Sequence, residues 1–209
     1  MSLSSQSSKY TKLADEKSLR NAQVALESHG FQVKVVENLK AAETEVLNMI
    51  PKGSEVFTAT SVTIDETNLS KIFNESGDYK SARKEFSALW GQDDKVLEMK
   101  RLGSASDYAI GSVHAVTEDG QVLIASASGS QMPNYVFGAN HVIWVVSTKK
   151  IVTNLNDGLK RIEDYVLGLE DKRTLVAYGS HSSLNKILIY RKETDKRVTI
   201  ILVKEDAGF

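Results

Sequence analysis

The sequence predicts a three-layer α/β protein built on a mostly parallel sheet into which a β-hairpin is inserted. Apolar residues at helical spacing alternate along the chain with short strand-like segments, which is typical of a parallel sheet covered by helices. Asp119-Gly120, between two apolar runs, predicts a hairpin with a type I′ turn. The 209 residues contain no internal repeat and no linker-like change of composition. We therefore expect a disordered tail over residues 1–9 and a single domain over residues 10–209.

The first half of the chain alternates helix and strand, and two local signals set its helix starts. Asn38 is a suitable N-cap for the helix that begins at Leu39. Thr63 and Glu66 have the spacing of a capping box, which predicts a helix start there. The predicted elements are a helix over 11–28, a strand over 31–36, a helix over 39–50, a strand over 55–58, and helices over 63–73, 79–90 and 93–102.

The second half is richer in strands. The hairpin is followed by a loop of serine and glycine, and Pro133 favours a short helix after that loop. The predicted elements are hairpin strands over 113–118 and 121–126, a helix over 133–137, a strand over 141–147, a helix over 157–171, and strands over 175–178, 186–190 and 198–203.

Composition excludes several classes of function. The chain has 26 Lys and Arg against 27 Asp and Glu, a net charge of −1, so no basic surface for nucleic acid or an anionic membrane is expected. It has no cysteine, which excludes disulfides, cysteine-bound zinc, iron–sulfur clusters and a thiolate nucleophile in this chain. No apolar run approaches the roughly 18 residues of a membrane span, and the N-terminus does not resemble a signal peptide. We therefore expect a cytoplasmic protein, either a monomer or a homo-oligomer.

Signatures of bound cofactors and metals are absent from the sequence. There is no Gly-x-Gly-x-x-Gly loop and no phosphate loop ending in Gly-Lys-Ser/Thr. The four histidines are too widely spaced to form a His-x-x-x-His pair. The sequence thus predicts neither a cofactor nor a metal site.

Two hydroxyl-rich loops, each between a predicted strand and a helix, are the candidate ligand-binding segments. Such loops offer backbone N–H groups and hydroxyls, which suit a phosphate or a carboxylate. The alternative for the first loop is that Ser61 or Thr63 only caps a helix, and for the second that it is a polar turn without a ligand. Together they predict a cleft at the carboxyl ends of the strands. The candidate residues are Thr60, Ser61 and Thr63 in the first loop and Ser128, Gly129, Ser130 and Gln131 in the second.

His114 and Glu118 are the candidate catalytic residues. Their spacing of four places them on one face of a regular strand, where an imidazole and a carboxylate could act as acid and base. The alternative is a solvated strand surface. Lys149 and Lys150 follow a predicted strand and could face an anion, but surface lysines are common after strands.

An ordered series of motifs resembles the LUD-domain (lactate-utilisation) family, in its stand-alone single-domain branch. The resemblance covers roughly residues 10–209 and is carried by residues 60–63, the run Gly111-Ser112-Val113-His114 continuing to Gly120, Ser128-Gly129-Ser130-Gln131-Met132-Pro133, Val142–Val146, 150–152 and 198–209.

The resemblance implies a fold related to the sugar-phosphate isomerase and CoA-transferase-like superfamily, whose members bind phosphorylated or thioester ligands in loops at strand ends. It also implies a link to the oxidation of lactate, beside separate iron–sulfur proteins. This chain has Glu118-Asp119-Gly120-Gln121 and Leu184-Asn185-Lys186-Ile187 where the best-known lactate-utilisation subunits have other motifs.

Three hypotheses follow from the residues and the resemblance together. The first is that the protein binds a small anionic metabolite of organic-acid metabolism between the two loops. The second is an isomerase or an acyl or CoA transferase that acts on a phosphorylated or thioester substrate, with Glu118 as base or nucleophile. The third is a non-catalytic subunit or sensor.

Overall fold

The computed structural model describes residues 8–209 and contains two β-sheets. Six parallel strands form the central sheet, in the order β1-β10-β7-β4-β2-β3. A second, four-stranded sheet has the order β8-β5-β6-β9 and is built around the β5-β6 hairpin. The strands are β1 (Gln32–Val36), β2 (Glu55–Thr58), β3 (Lys80–Ser81), β4 (Ser106–Gly111), β5 (Ala115–Thr117), β6 (Val122–Ser126), β7 (Ala139–Ser147), β8 (Ile151–Val152), β9 (Lys186–Tyr190) and β10 (Val198–Val203).

Eight α-helices lie in the described part of the chain. Asn38 caps the second of them, because its side chain accepts a hydrogen bond from the amide of Ala41. A π-helical turn at Ile162–Val166 joins the last two into one long segment. The helices are α1 (Glu16–Ser28), α2 (Leu39–Met49), α3 (Val62–Asp65), α4 (Leu69–Glu75), α5 (Ala82–Ala88), α6 (Val96–Leu102), α7 (Leu155–Arg161) and α8 (Leu167–Tyr178).

The central sheet is buried on both faces, and the alternation along β7 shows how. Trp144 and Val146 pack into a core shared with α1 and the second sheet, whereas Ile143 and Val145 pack against α2, α3 and α4. Since successive side chains point to opposite faces, a strand covered on both sides is apolar throughout. The second sheet has a further core on its outer side, where Leu123 packs near Ile162. The predicted three-layer, mostly parallel α/β fold is therefore confirmed.

Three predicted details of secondary structure are wrong. The hairpin has a three-residue loop, because Thr117 pairs with Gln121 and only Gly120 has a positive φ, of 84°. That geometry is a type I turn with a glycine bulge, whereas a type I′ turn needs positive φ at Asp119 too. Residues 175–178 continue α8, because their helical hydrogen bonds outweigh the apolar, strand-like composition of the segment. The strand β4 is missed by the sequence analysis. Its first residues are polar, so the segment lacks the pattern of a buried strand, although it pairs with β2 on one side and β7 on the other.

The capping box at Thr63 is also wrong. Thr63 lies inside the four-residue α3, which starts after Ser61, and a second short helix, α4, begins only at Leu69. The carboxylate of Glu66 accepts a hydrogen bond from the amide of Gly208 instead of closing a cap. The side chain of Thr63 is thereby available for the contact described below.

Residues 1–7 of the expected tail lie outside the described residues. Ser8–Thr11 form a 3-10 turn, and Lys9 pairs with Asp157 at 2.6 Å. In the part of the chain that the structure covers, no helix combines the length and apolar character that a membrane span requires.

Candidate functional site

A large cavity lies at the carboxyl ends of the central strands. Because β2, β4 and β7 are parallel neighbours, the segments that follow them, at 59–61, 112–114 and 148–150, come to the same edge of the sheet. The cavity has a volume of about 880 Å³ and is closed on its other sides by α5, α8 and the segment 180–184. Cavities of this size are typical of small-molecule sites.

Both hydroxyl-rich loops contribute to this one cavity, although 67 residues separate Ser61 from Ser128 in the sequence. Of the nine candidate residues, seven line it and two do not. Those that line it are Thr60, Ser61, Thr63, His114, Ser128, Ser130 and Gln131.

Glu118 and Gly129 are the two that do not line it. Glu118 lies beside α1, where it accepts a hydrogen bond of 2.8 Å from Asn21. His114 and Glu118 are therefore not brought together at the cavity, because four residues of strand span about 13 Å even when they share a face. Gly129 turns the second loop with a φ of 81° and packs against the side chain of Lys186.

The second loop uses its own hydroxyls to close on itself. Ser126 Oγ accepts the amide of Gly129 at 2.9 Å, and Ser128 Oγ accepts the amide of Ser130 at 3.3 Å. These two amides are therefore not free to bind a ligand, contrary to the expectation from the loop sequence. The loop residues that line the cavity are Ser128, Ser130 and Gln131.

In the first loop, neither hydroxyl caps the helix. Ser61 precedes α3 in an extended conformation, but its side chain makes no capping hydrogen bond. The hydroxyl of Thr63 instead accepts a hydrogen bond of 2.9 Å from Nζ of Lys150. The capping interpretation of this segment is thus not what the structure shows.

Lys150 is the buried lysine at the floor of the cavity. It ends a 3-10 turn at Thr148–Lys150 after β7 and is only 3% exposed. Its Nζ donates one hydrogen bond to the hydroxyl of Thr63 and a second, of 3.1 Å, to Ser112 Oγ. Within residues 8–209 it takes part in no ion pair. Burial, together with the charges of Arg161 and Lys149, holds its pKa well below the usual lysine range.

His114 is neutral in this structure, and its ring accepts a backbone hydrogen bond. Its Nδ1 accepts the backbone amide of Ala125 at 3.0 Å, so the ring proton resides on Nε2. Burial, and then the charges of Lys150 and Arg161, lower its pKa to about 3. An imidazole held in this state offers an N–H group to a ligand and is a poor acid or base near neutral pH.

Two arginines reach the cavity, and they differ in their partners. Arg173 of α8 makes two hydrogen bonds of 2.7 Å to the carboxylate of Glu170, which offsets its charge. Arg83 of α5 donates to Thr60 Oγ1 at 2.8 Å and stacks on the ring of Phe86 at 5.4 Å. No ion pair to Arg83 is formed by the described residues, and the carboxylate of Asp65 acts on its charge only from beyond ion-pair distance.

Sequence reasoning missed three of these residues. Lys150 resembled a surface lysine, and neither Ser112 nor Arg83 was singled out. The available signal was that Lys149 and Lys150 stand between two apolar strand segments, where a solvated side chain has little room. Nothing in the local sequence around Arg83 indicates that α5 borders a cavity.

The fold and the cavity define an α/β protein with a ligand-sized cleft at the carboxyl ends of its parallel strands. A family model for the LUD domain matches residues 19–203, and the chain therefore belongs to the LUD-domain family, which is related to lactate-utilisation proteins.

One solved structure similar to this chain is the crystal structure of a DUF162 family protein from Deinococcus radiodurans. It has a TM-score of 0.56 and 11% sequence identity, and the match covers 92% of this chain and 99% of that chain. At this identity the likeness shows the fold alone. No curated protein matches the chain. Among residues 8–209, no group of three or more His, Asp or Glu side chains is placed to hold a metal ion.

Proposed function

We propose that the cavity binds a small anionic metabolite, an organic acid of the lactate type, with Arg83 as the fixed positive charge. The observation that carries this proposal is that Arg83 faces the cavity without an ion pair to any carboxylate among the described residues. A guanidinium stays charged at every physiological pH and recognises carboxylates and phosphates through paired hydrogen bonds. A partly buried, unpaired arginine is therefore a binding group for an anion.

The surroundings of Arg83 support the same ligand class. Thr60 holds the guanidinium at 2.8 Å, and the stacking on Phe86 restricts its movement. The Nε2–H group of His114 adds a neutral donor to the lining. Among the described lining residues, Glu170 carries the single carboxylate side chain, and Arg173 already binds it. Among the side chains of the lining, the two arginines Arg83 and Arg173 therefore outnumber the carboxylate of Glu170 even when Lys150 is neutral.

A titration with candidate anions tests the proposal. Lactate, pyruvate, a sugar phosphate and an acyl-CoA are added to the protein, and thermal stability and calorimetric heats are measured. A ligand at 100 times its Kd stabilises the folded protein by about 2.7 kcal/mol, which is a readily measured shift. The absence of a response to every anion would overturn the proposal.

Variants of Arg83 test whether the anion binds at this arginine. Arg83→Gln should weaken anion binding by about 10- to 100-fold, because it removes a charge-assisted hydrogen bond worth about 1.5–3 kcal/mol. Arg83→Lys keeps the charge and should retain part of the affinity. Arg101→Gln, on the exposed last turn of α6, is the matched control and should bind like the wild type. Equal affinity of Arg83→Gln and the wild type would refute this location.

The proposed metabolic setting includes separate iron–sulfur proteins as redox partners. The support is membership of a family related to lactate-utilisation proteins, together with a chain that contains no cysteine to bind such a cluster. Copurification of an iron–sulfur protein with the tagged chain, in cells grown on lactate, is the expected result. A chain that purifies alone from such cells would count against this part of the proposal.

A further inference from the structure

Ser112 stands at the first position after β4, where the strand opens into the cavity. It is half-buried and lines the cavity wall. Its Oγ lies 3.1 Å from Nζ of Lys150, and this is a contact between residues 38 positions apart. A serine hydroxyl within hydrogen-bond reach of a possible base is the arrangement that nucleophilic catalysis requires.

A second hydroxyl, that of Thr63, contacts the amine of Lys150. Thr63 Oγ1 lies 2.9 Å from the same Nζ and is itself buried, with 1% exposure. The amine therefore has two hydroxyl neighbours and, among the described residues, no carboxylate within ion-pair distance. The two hydroxyls accept the N–H groups of a buried amine, and they also supply what a base needs, which is one group to orient it and another to deprotonate.

We propose that Ser112 and Lys150 form a nucleophile–base pair that transfers the acyl group of a small anionic ester or thioester, with Thr63 as the positioning residue. This proposal rests on the proposed function, because Arg83 would bind the anionic end of the acyl substrate. It adds a reaction and its two catalytic residues to that site.

The electrostatic surroundings favour a neutral amine at Lys150. Burial has the largest effect on its pKa, Arg161 and Lys149 lower it further, and Glu66 opposes them. The imidazole of His114 is uncharged, so it neither raises nor lowers the pKa of Lys150 through a charge of its own. A neutral amine can accept the hydroxyl proton of Ser112 through its lone pair while donating an N–H to Thr63. Lysines act as bases in other serine enzymes through the same effect of burial.

The reaction proceeds in two balanced halves. Ser112 Oγ attacks the acyl carbon and its proton passes to Nζ of Lys150. The bond from carbon to the leaving alcohol or thiol then breaks, and that group takes the proton from Lys150. Water attacks the acyl-serine, gives one proton to Lys150, and releases the carboxylic acid as the proton returns to Ser112. The sum is an ester or thioester plus water giving an acid plus an alcohol or thiol.

In each half of the reaction the acyl carbonyl oxygen becomes an oxyanion, which needs a hydrogen-bond donor. The Nε2–H of His114 lines the same cavity and lies two residues from Ser112 in the sequence. A neutral donor of this kind stabilises the developing charge without competing as a base.

Labelling by a fluorophosphonate probe, located by peptide mass spectrometry, tests the nucleophile. We expect Ser112 to be labelled in the wild type and labelling to be lost in Ser112→Ala. Ser87→Ala removes another serine that lines the cavity and should leave the labelling rate unchanged. No labelling of the wild-type protein, or labelling that persists in Ser112→Ala, would overturn the proposal.

The base is tested by the rate of labelling and its pH dependence. Lys150→Met should slow labelling by at least about 100-fold, as expected for loss of a general base. The wild-type rate should rise with pH and reach half its maximum well below about 10.4, the ordinary lysine pKa. A half-maximum at or above that value contradicts the assignment, as does an unchanged rate in Lys150→Met.

Thr63 provides a second test that does not depend on the folding of Lys150→Met. Thr63→Val keeps the shape but removes the hydroxyl, and it should slow labelling and shift the pH profile. Thr63→Ser should restore both. A merely structural role would change stability without moving the pH profile, and that outcome would remove Thr63 from the mechanism.

The variant Ser112→Ala also separates this proposal from the proposed function. It should bind lactate or pyruvate with an affinity close to that of the wild type, because Arg83 is intact. Anion binding without labelling of Ser112 would overturn only the catalytic pair. Labelling of Ser112 without any anion binding would overturn only the proposed function.

Discussion

Gly111, the last residue of β4, shows how tightly the floor of the cavity is built. A Cβ atom at this position would lie 1.9 Å from Oη of Tyr135 and 3.1 Å from the Cβ of Ala59. Tyr135 is 1% exposed and packs edge-on against Trp144 at 5.4 Å, so its ring has no room to move away. Gly111→Ala should therefore destabilise the protein by about 1–3 kcal/mol, the usual cost of overpacking.

The hydroxyl of Tyr135 is the atom responsible for most of this cost. It is buried and makes no hydrogen bond of good geometry among residues 8–209, because its interaction with the indole N–H of Trp144 is too poorly formed to count as one. Because a buried, unpaired hydroxyl costs about 1–3 kcal/mol, Tyr135→Phe should leave the stability unchanged or raise it. In the double variant with Gly111→Ala, the contact at 1.9 Å no longer exists. The two substitutions should then be coupled by about 1–2 kcal/mol, within the range seen for residues in contact.

Equilibrium unfolding in urea measures all four proteins of this cycle. The expected order of the unfolding midpoint is Gly111→Ala lowest, the double variant intermediate or equal to the wild type, and Tyr135→Phe at or above the wild type. Additivity of the two substitutions within about 0.3–0.5 kcal/mol would refute the reasoning. It would mean that the backbone at Gly111 relaxes away from Tyr135 and that the floor is less rigid than described.

Three further predictions concern a cap, a tautomer and a carboxylate. Asn38→Ala should lower the free energy of unfolding by about 1 kcal/mol in urea, because it removes the cap of α2. At pH 6, nitrogen NMR should find His114 neutral with its proton on Nε2, and a charged ring or an Nδ1–H form would contradict this. Burial raises the pKa of Glu43, but hydrogen bonds from Lys40 and from Asn68 outweigh it and lower the pKa. Since the folded-state pKa is the lower one, this stabilisation is complete above about 4.3 and is lost as the pH falls through the folded pKa. In a plot of unfolding free energy against pH, Glu43→Gln should reduce the loss of stability at acid pH. An unchanged loss would show that it does not originate from Glu43.

Much of the fold follows from short-range patterns. The helix after Asn38 was predicted from its cap and its apolar spacing, and both are properties of consecutive residues. The long apolar strands β7 and β10 were predicted for the same reason. Elements whose structure depends on distant partners were the ones missed. The polar start of β4 becomes a strand because β2 and β7 pair with it on either side.

The candidate site divides in a similar way. The two hydroxyl-rich loops were found from their position after strands, and most of their polar residues line the cavity. Glu118 was selected from a spacing that a regular strand would satisfy, yet the cavity opens at only one end of that strand. Lys150 was set aside because its sequence neighbours do not show that it is buried.

The sequence by itself determined the layered α/β class, the cap of α2 at Asn38, the absence of cysteine chemistry and the two loops, because each depends on composition or on neighbours along the chain. Only the tertiary structure decided that Thr63 and Ser112 meet at Lys150, across separations of 87 and 38 residues. The physical reason is that parallel strands return by crossovers, which bring their carboxyl ends together at one edge. The same packing removes water from Lys150, and the state of its amine depends on that burial.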